Sequence, residues 1–285
     1  MPTPSAELRI RDPFILPVPE RGQYFLYSGD GQGFSVRSSP DLEAWSEPAP
    51  IFRPPDGFWA DRDFWAPEVF RHRGRYYLLA SLHAPGKRRG TQAFVADGPD
   101  GPFLPLGPHP LTPPEWDCLD GTLFVEDGQA WLIFCHEWVQ TGDGEIRAVP
   151  LSDDLPAPLG PPSLLFHASA APWVRPVSSV GHTGTVTDGP FLHRLTDGGL
   201  FLLWSSFGDG GYALGMARSR SGRLAGPWEH DPAPLYDADG GHGMLFHTFA
   251  GRLMACLHAP NTSDARLILL PVEERDGSLV LGDPQ

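Results

Sequence analysis

Five short apolar runs along this 285-residue chain each carry, at or near the start, a group that can gain or lose a proton. They read Asp12-Pro13-Phe14-Ile15-Leu16, Ala66-Pro67-Glu68-Val69-Phe70, Asp120-Gly121-Thr122-Leu123-Phe124-Val125, Asp188-Gly189-Pro190-Phe191-Leu192 and His242-Gly243-Met244-Leu245-Phe246. Asp12, Glu68, Asp120, Asp188 and His242 are therefore four carboxyls and one imidazole where a core strand usually begins with something apolar. An aspartate before Gly or Pro commonly starts a turn, which accounts for any one of them more readily than for all five. Carboxyls crowded together raise one another's pKa at a cost in stability, and groups tuned in this way hold and release protons at reaction centres. This set is the candidate site.

Each run is followed, across a Gly-containing turn, by a second apolar run, such as Tyr76-Tyr77-Leu78-Leu79 or Trp131-Leu132-Ile133-Phe134. A hairpin returns its second strand to the end where the first began, so the residues closing these second runs belong beside the ionisable set. They are Ser81-Leu82-His83, His136-Glu137-Trp138, Ser205-Ser206-Phe207 and His258-Ala259-Pro260-Asn261. Hydrogen-bonding groups mixed with aromatic rings make a sugar pocket, where hydroxyls need partners and ring faces need a platform. On this reading Trp65, Glu68, His83, His136, Trp138, Phe207 and His258 contact the substrate, with Trp59, Phe64, Trp65 and Trp138 as stacking platforms. Packing between structural units is the competing use for each aromatic ring.

The elements that must position these groups repeat five times. The turn glycines Gly22, Gly74, Gly128, Gly199 and Gly251 stand 52, 54, 71 and 52 residues apart, the length of a propeller blade with one insertion at or after the third unit. Weaker strand material with turn signatures follows each hairpin, as at Ser39-Pro40-Asp41-Leu42 and Asp97-Gly98-Pro99, and fits the outer two strands of a four-stranded blade. A sandwich also shows frequent turns but does not require five similar units. The expectation is an all-β, five-bladed propeller of four-stranded antiparallel blades around a central channel. It forms one domain, with blades over roughly 8–55, 56–112, 113–175, 176–236 and 237–285.

Composition bounds the partners. With 41% hydrophobic residues and 33 each of Gly and Pro scattered along the chain, a folded core with many tight turns is expected. A formal charge of −14 disfavours a nucleic-acid partner, and Lys87-Arg88-Arg89, the one basic cluster, reads as a solvated turn. Cys118, Cys135 and Cys256 are odd in number and read as reduced core thiols. No leader precedes Leu8 and no apolar run approaches the ~20 residues a membrane helix needs, so a cytoplasmic protein without a membrane partner is expected. Oligomeric state is left open.

Four stretches carry a resemblance to a known family. These are Arg11-Asp12-Pro13-Phe14-Ile15, Phe64-Trp65-Ala66-Pro67-Glu68-Val69, Leu119-Asp120-Gly121-Thr122-Leu123-Phe124 and Gly241-His242-Gly243. In this order and spacing the chain resembles glycoside hydrolase family 43 over nearly its whole length. The resemblance implies a five-bladed propeller that cleaves a terminal pentose, with Asp12 as the general base and Asp120 as the acid that tunes the proton donor. Where the family commonly has Glu-Gly-Pro, here stands Asp188-Gly189-Pro190, so Asp188 or else Glu137 supplies the proton. His242 matches a histidine that helps hold a metal in the channel, often calcium and often through water; the chemistry itself requires no cofactor. The expected activity is an inverting α-L-arabinofuranosidase acting on arabinose-containing oligosaccharides. A β-xylosidase of the same fold and a non-catalytic sugar-binding propeller are the alternatives.

Overall fold

The computed structural model describes residues 2–179 and 181–283. Five four-stranded antiparallel sheets follow one another along the chain, each in simple sequential order, as blades of one propeller. Blade one comprises Phe14–Val18, Gln23–Gly29, Phe34–Ser39 and Ala49–Phe52; blade two comprises Arg62–His72, Arg75–His83, Gly90–Ala96 and Leu104–Pro105. Blade three is Cys118–Glu126, Gln129–His136, Glu145–Pro150 and Ser163–His167; blade four is Asp188–Arg194, Leu200–Gly208, Gly211–Ser219 and Trp228–His230. Blade five is Gly241–His247, Leu253–Ala259, Arg266–Arg275 and Ser278–Leu281. The long spacing after the third turn glycine accommodates an extra hairpin, Val177–Ser179 with His182–Gly184.

Burial between blades holds the ring together. Phe34 and Phe52 of blade one meet Phe64 and Phe94 of blade two, with Phe52 and Phe94 at a centroid separation of 4.6 Å. Such aromatic pairs contribute about 0.5–1.5 kcal/mol beyond their buried area. At the final seam residues near the amino terminus complete blade five: Ile10 N–H bonds the Ala265 carbonyl at 3.0 Å and Leu267 N–H bonds the Leu8 carbonyl at 3.1 Å. Chain ends far apart in sequence thus close the circle and bring Asp12 beside blade five.

The inner strands share a local device. In blades two to five the pairing slips by one residue at the channel end, between Trp65 and Glu68, Leu119 and Thr122, Asp188 and Phe191, and Gly241 and Met244. A bulge of this kind bends a strand and re-aims a side chain. The bulge opens in the left-handed region at Ala66 (φ 44°), Asp120 (φ 54°), Gly189 (φ 50°) and His242 (φ 52°), and Asp12 (φ 48°) takes the same conformation ahead of blade one. Four of these five residues are not glycine, so each adopts a conformation costing about 1–3 kcal/mol. The equivalence corrects the sequence alignment of the ionisable set. Asp12, Asp120 and His242 are true counterparts, whereas Glu68 lies two residues beyond its bend and Asp188 one residue before.

Candidate active site

Three of the bends place their side chains against one another. His242 Nδ1 lies 3.2 Å from Asp12 Oδ1 and 3.7 Å from Asp120 Oδ2, bridging blades one, three and five across the channel mouth. Each bend is secured by the preceding blade: Ser81 Oγ accepts the Asp120 N–H at 2.8 Å, Ser205 Oγ accepts the His242 N–H at 2.8 Å, and His258 Nδ1 accepts the Asp12 N–H at 3.2 Å. Hydrogen bonds of this kind satisfy backbone donors that the bulge removes from the ladder. His258 is fully buried and its imidazole is pushed down to about 4, by burial above all, which keeps it a neutral acceptor for Asp12.

The electrostatics separate two carboxyls of this cluster. Burial works against ionisation of Asp12, but the imidazoles of His242 and His258 and the Arg11 guanidinium outweigh it and hold the carboxyl below its ordinary value. Asp188 goes the other way: burial, then the neighbouring Asp120 charge, push it up to about 8, with His242 opposing and Asp12 adding to the rise. Tyr212 O–H donates to Asp188 Oδ2 at 3.1 Å, and the Phe207 ring packs edge-on against Tyr212 with centroids 5.3 Å apart. Asp120 sits between them, its carboxyl raised by burial against the pull of His242, with the Gly189 N–H donating to Oδ2 at 3.1 Å. His242 is lifted above its ordinary value because the surrounding acids, Asp12 and Asp120 foremost, overcome the penalty of burial. Gly189 has to be glycine: its φ is +50° and an added Cβ would stand 2.8 Å from the His242 ring.

Asp12, Asp120, Asp188, His242, Tyr212 and Trp65 all line one cavity of about 820 Å³ that runs outward past Asp30 and Arg53. Trp65 is 44% exposed, a large apolar ring turned toward that cavity. Its other partner is Arg89, whose guanidinium carbon is 4.4 Å from the ring centroid. Arg89 also forms ion pairs with Asp63 at 2.8 Å and with Glu137, and its side chain is only 17% exposed. Arg89 is therefore a clamp on Asp63, Trp65 and Glu137, not part of a solvated turn. His83 binds the same Asp63 at 3.1 Å.

Several expected substrate contacts are re-assigned by this geometry. His136 is buried with Nδ1 at 2.8 Å from Glu145 and Nε2 at 2.8 Å from Gln140, and its ring lies flat on Trp116 at 4.2 Å, so both nitrogens are already engaged. His258 serves Asp12, His83 serves Asp63, and Phe207 supports Tyr212; none of the three lines the cavity. Trp138 opens a short helix, Trp138–Thr141, and packs on Gly184 of the inserted hairpin. Glu137 is buried against Arg89 and outside the cavity lining; burial pushes its carboxyl up, and Arg89 offsets this only in part. Glu68 lies deeper, its Oε2 buried without a hydrogen-bond partner and its carboxyl raised to about 8, chiefly by burial. Trp59 stands at a different cavity altogether. Sequence reading placed Ser81 and Ser205 beside the ionisable set, where they accept from the bends, but missed the roles of Arg89, Tyr212 and Asp63; only the basic run hinted at Arg89.

A calcium ligated directly by side chains in the channel would meet an unsuitable donor set. Calcium takes 6–8 oxygen ligands at 2.3–2.6 Å, whereas among the described residues no three His, Cys, Asp or Glu side chains converge as a metal site. His242 directs Nδ1 at two carboxylates, and the deep Glu68 is favoured neutral. These residues do not fit a directly ligated Ca²⁺, and no chemical step is routed through one.

The sequence profile of glycosyl hydrolases family 43 matches residues 1–277. The chain belongs to this family. As a family 43 enzyme it is a glycoside hydrolase acting on carbohydrate. It is 46% identical to a solved structure described as an endo-arabinase from Bacteroides thetaiotaomicron, with a TM-score of 0.95 over 97% of this chain and 98% of that one. It is 26% identical over 249 residues to the extracellular exo-α-(1→5)-L-arabinofuranosidase of Cellvibrio japonicus, covering 79% of this chain and 67% of that protein. It is 27% identical over 242 residues to α-L-arabinofuranosidase 43 of Humicola insolens, covering 78% of this chain but only 45% of that protein. The extracellular relative overturns the expectation of a cytoplasmic enzyme, because reduced thiols are a weaker guide to compartment than a relative matched over most of the chain.

Proposed function

We propose that this family 43 enzyme removes terminal α-L-arabinofuranosyl residues with inversion, Asp12 acting as general base and Asp188 as general acid. The observation that carries this reading is that one cavity holds two carboxyls driven in opposite directions, Asp12 below its ordinary value and Asp188 up to about 8. Paired groups whose environments push their proton affinities apart divide the roles of base and acid between them. In the single displacement, Asp12 takes a proton from water as the water oxygen bonds the anomeric carbon. The glycosidic C–O bond breaks, and its oxygen takes the proton from Asp188. Asp120 keeps Asp188 protonated by its neighbouring charge, and Trp65 offers the stacking face for a sugar ring. Glu137 is the poorer donor because a guanidinium contacts its carboxylate directly.

The Cellvibrio and Humicola relatives support arabinofuranoside as substrate, and the former also supports secretion. A specific observation favours a second reading, internal cleavage of arabinan: the 46% identity to the Bacteroides endo-arabinase. Hydrolysis of 4-nitrophenyl α-L-arabinofuranoside, followed by proton NMR from the first turnovers, tests the main reading. It predicts β-L-arabinofuranose as the initial product, and little hydrolysis of the β-D-xylopyranoside. The α-anomer appearing first, or preference for the xyloside, would reject it. On linear arabinan the exo mode releases arabinose from the outset, whereas early accumulation of oligosaccharides identifies the endo mode.

A further inference from the structure

A second cavity of about 870 Å³ lies beside the catalytic one, lined by Trp59, Lys87, Arg88, His109, Pro110 and Pro114 among others. Its size falls within the roughly 300–1,000 Å³ typical of ligand pockets. The loop at 84–90 separates the two cavities: Arg89 reaches inward to Asp63 and Trp65 of the catalytic wall, and Lys87 and Arg88 line the second cavity. The second cavity is a built structure. Trp59 Nε1–H donates to Gln92 Oε1 at 3.0 Å, and Gln92, itself buried, donates onward to the Gly107 carbonyl at 3.1 Å, which fixes the indole and the Pro110 loop to one base. Gly90 packs so closely on Pro110 that an added Cβ would stand 2.7 Å from it, a second lock on the same loop.

The walls combine flat apolar faces with cations. Trp59, Pro110 and Pro114 present ring surfaces, and the Lys87 ammonium stands 5.7 Å from the Trp59 centroid with no carboxylate partner among the described residues. Arg88 is held at 2.6 Å by Asp117, leaving Lys87 as the free charge, with His109 nearby. A cationic pocket in a protein of formal charge −14 selects an anion, and a stacking floor selects a ring. We propose that this cavity binds an acidic sugar, a hexuronate whose ring lies on Trp59 and whose carboxylate meets Lys87, and so holds an acidic polysaccharide beside the catalytic cavity. The proposal rests on the glycoside hydrolase identity but not on the exo-arabinofuranosidase reading, and binding is measured without turnover.

The test is calorimetric titration of the intact protein at low salt with trigalacturonate, with a glucuronate-bearing xylotriose and with neutral cellotriose. Saturable binding of either uronate probe is expected, identifying which uronate fits. That binding should weaken at least tenfold in Lys87→Glu and in Trp59→Ala, and weaken with added salt. Turnover of the aryl arabinofuranoside should stay within twofold of the parent in Lys87→Glu, which alters an exposed side chain and doubles as the check on folding. No binding of either uronate, equal binding by the variants, or equal binding of neutral cellotriose overturns the proposal.

Discussion

Two acid clusters stand side by side at the mouth of this propeller, and their difference shows which acid can do proton chemistry. At the axis Asp12, Asp120 and Asp188 face one another, with the imidazoles of His242 and His258 both at Asp12, so their proton affinities are forced apart. On the flank Asp63 and Glu137 share the Arg89 guanidinium, which opposes the rise that burial imposes on Glu137. Identical functional groups are reactive in one place and structural in the other because one cluster is short of positive charge and the other is not. The flank carboxyls hold geometry through an arginine; at the axis Asp188, beside the Asp120 charge, favours its proton, and Asp12, beside two imidazoles and Arg11, favours losing it.

The largest effect that would break this contrast is at Asp12. Asp12→Asn is expected to lower kcat/KM by about 10³-fold or more with an unchanged circular dichroism spectrum, general base catalysis being worth roughly 10²–10⁴-fold. Activity close to the parent would remove the axial cluster from the chemistry. Next come the two candidate donors. Asp188→Asn should lose about 10²-fold on a sugar leaving group and far less on an aryl one, which needs little protonation, whereas Glu137→Gln should lose under tenfold on both. Steady-state rates over a series of leaving groups separate the two.

Smaller again is the expected effect of the clamp. Arg89→Leu leaves Asp63 and Glu137 without their shared cation, and partial exposure reduces the usual penalty of a broken buried pair to roughly 2 kcal/mol. Thermal unfolding should register that loss, and KM should rise as Trp65 loses its stacked partner while kcat falls less. A variant of parental stability and KM would show that the flank does not position the sugar platform.

The smallest change sharpens the electrostatic account. Asp120→Asn removes a negative charge that helps keep Asp188 protonated, so the alkaline limb of the pH profile should move to lower pH by about one unit, with burial retaining the rest of the elevation. A limb that stays in place would assign the elevation to burial and Asp12 without Asp120.

The ring, the blade count and the convergence of Asp12, Asp120 and His242 were readable because each blade repeats the same apolar hairpin at nearly constant spacing. The offset positions of Glu68 and Asp188 were not. The bend that defines the register is occupied by Asp, Ala, Asp, Gly and His, residues with no shared chemistry, and only the left-handed backbone reveals their equivalence. Arg89 was hidden for a different reason. Three successive basic residues look alike in sequence, yet a tight loop sends Lys87 and Arg88 outward and Arg89 between two acids. His136 and His258 were legible as buried polar groups near the mouth, but which partner each imidazole would find depended on Glu145 and Asp12 being brought to it by the fold.

The most direct test of opposite charge states at the axis is the pH dependence of kcat/KM. Asp12 works without its proton, so activity should persist on the acid side to below the ordinary carboxylate range. Asp188 works with its proton, so activity should decline on the alkaline side near pH 8. The account predicts that this alkaline limb disappears in Asp188→Asn and survives in Glu137→Gln; the reverse pattern would contradict it.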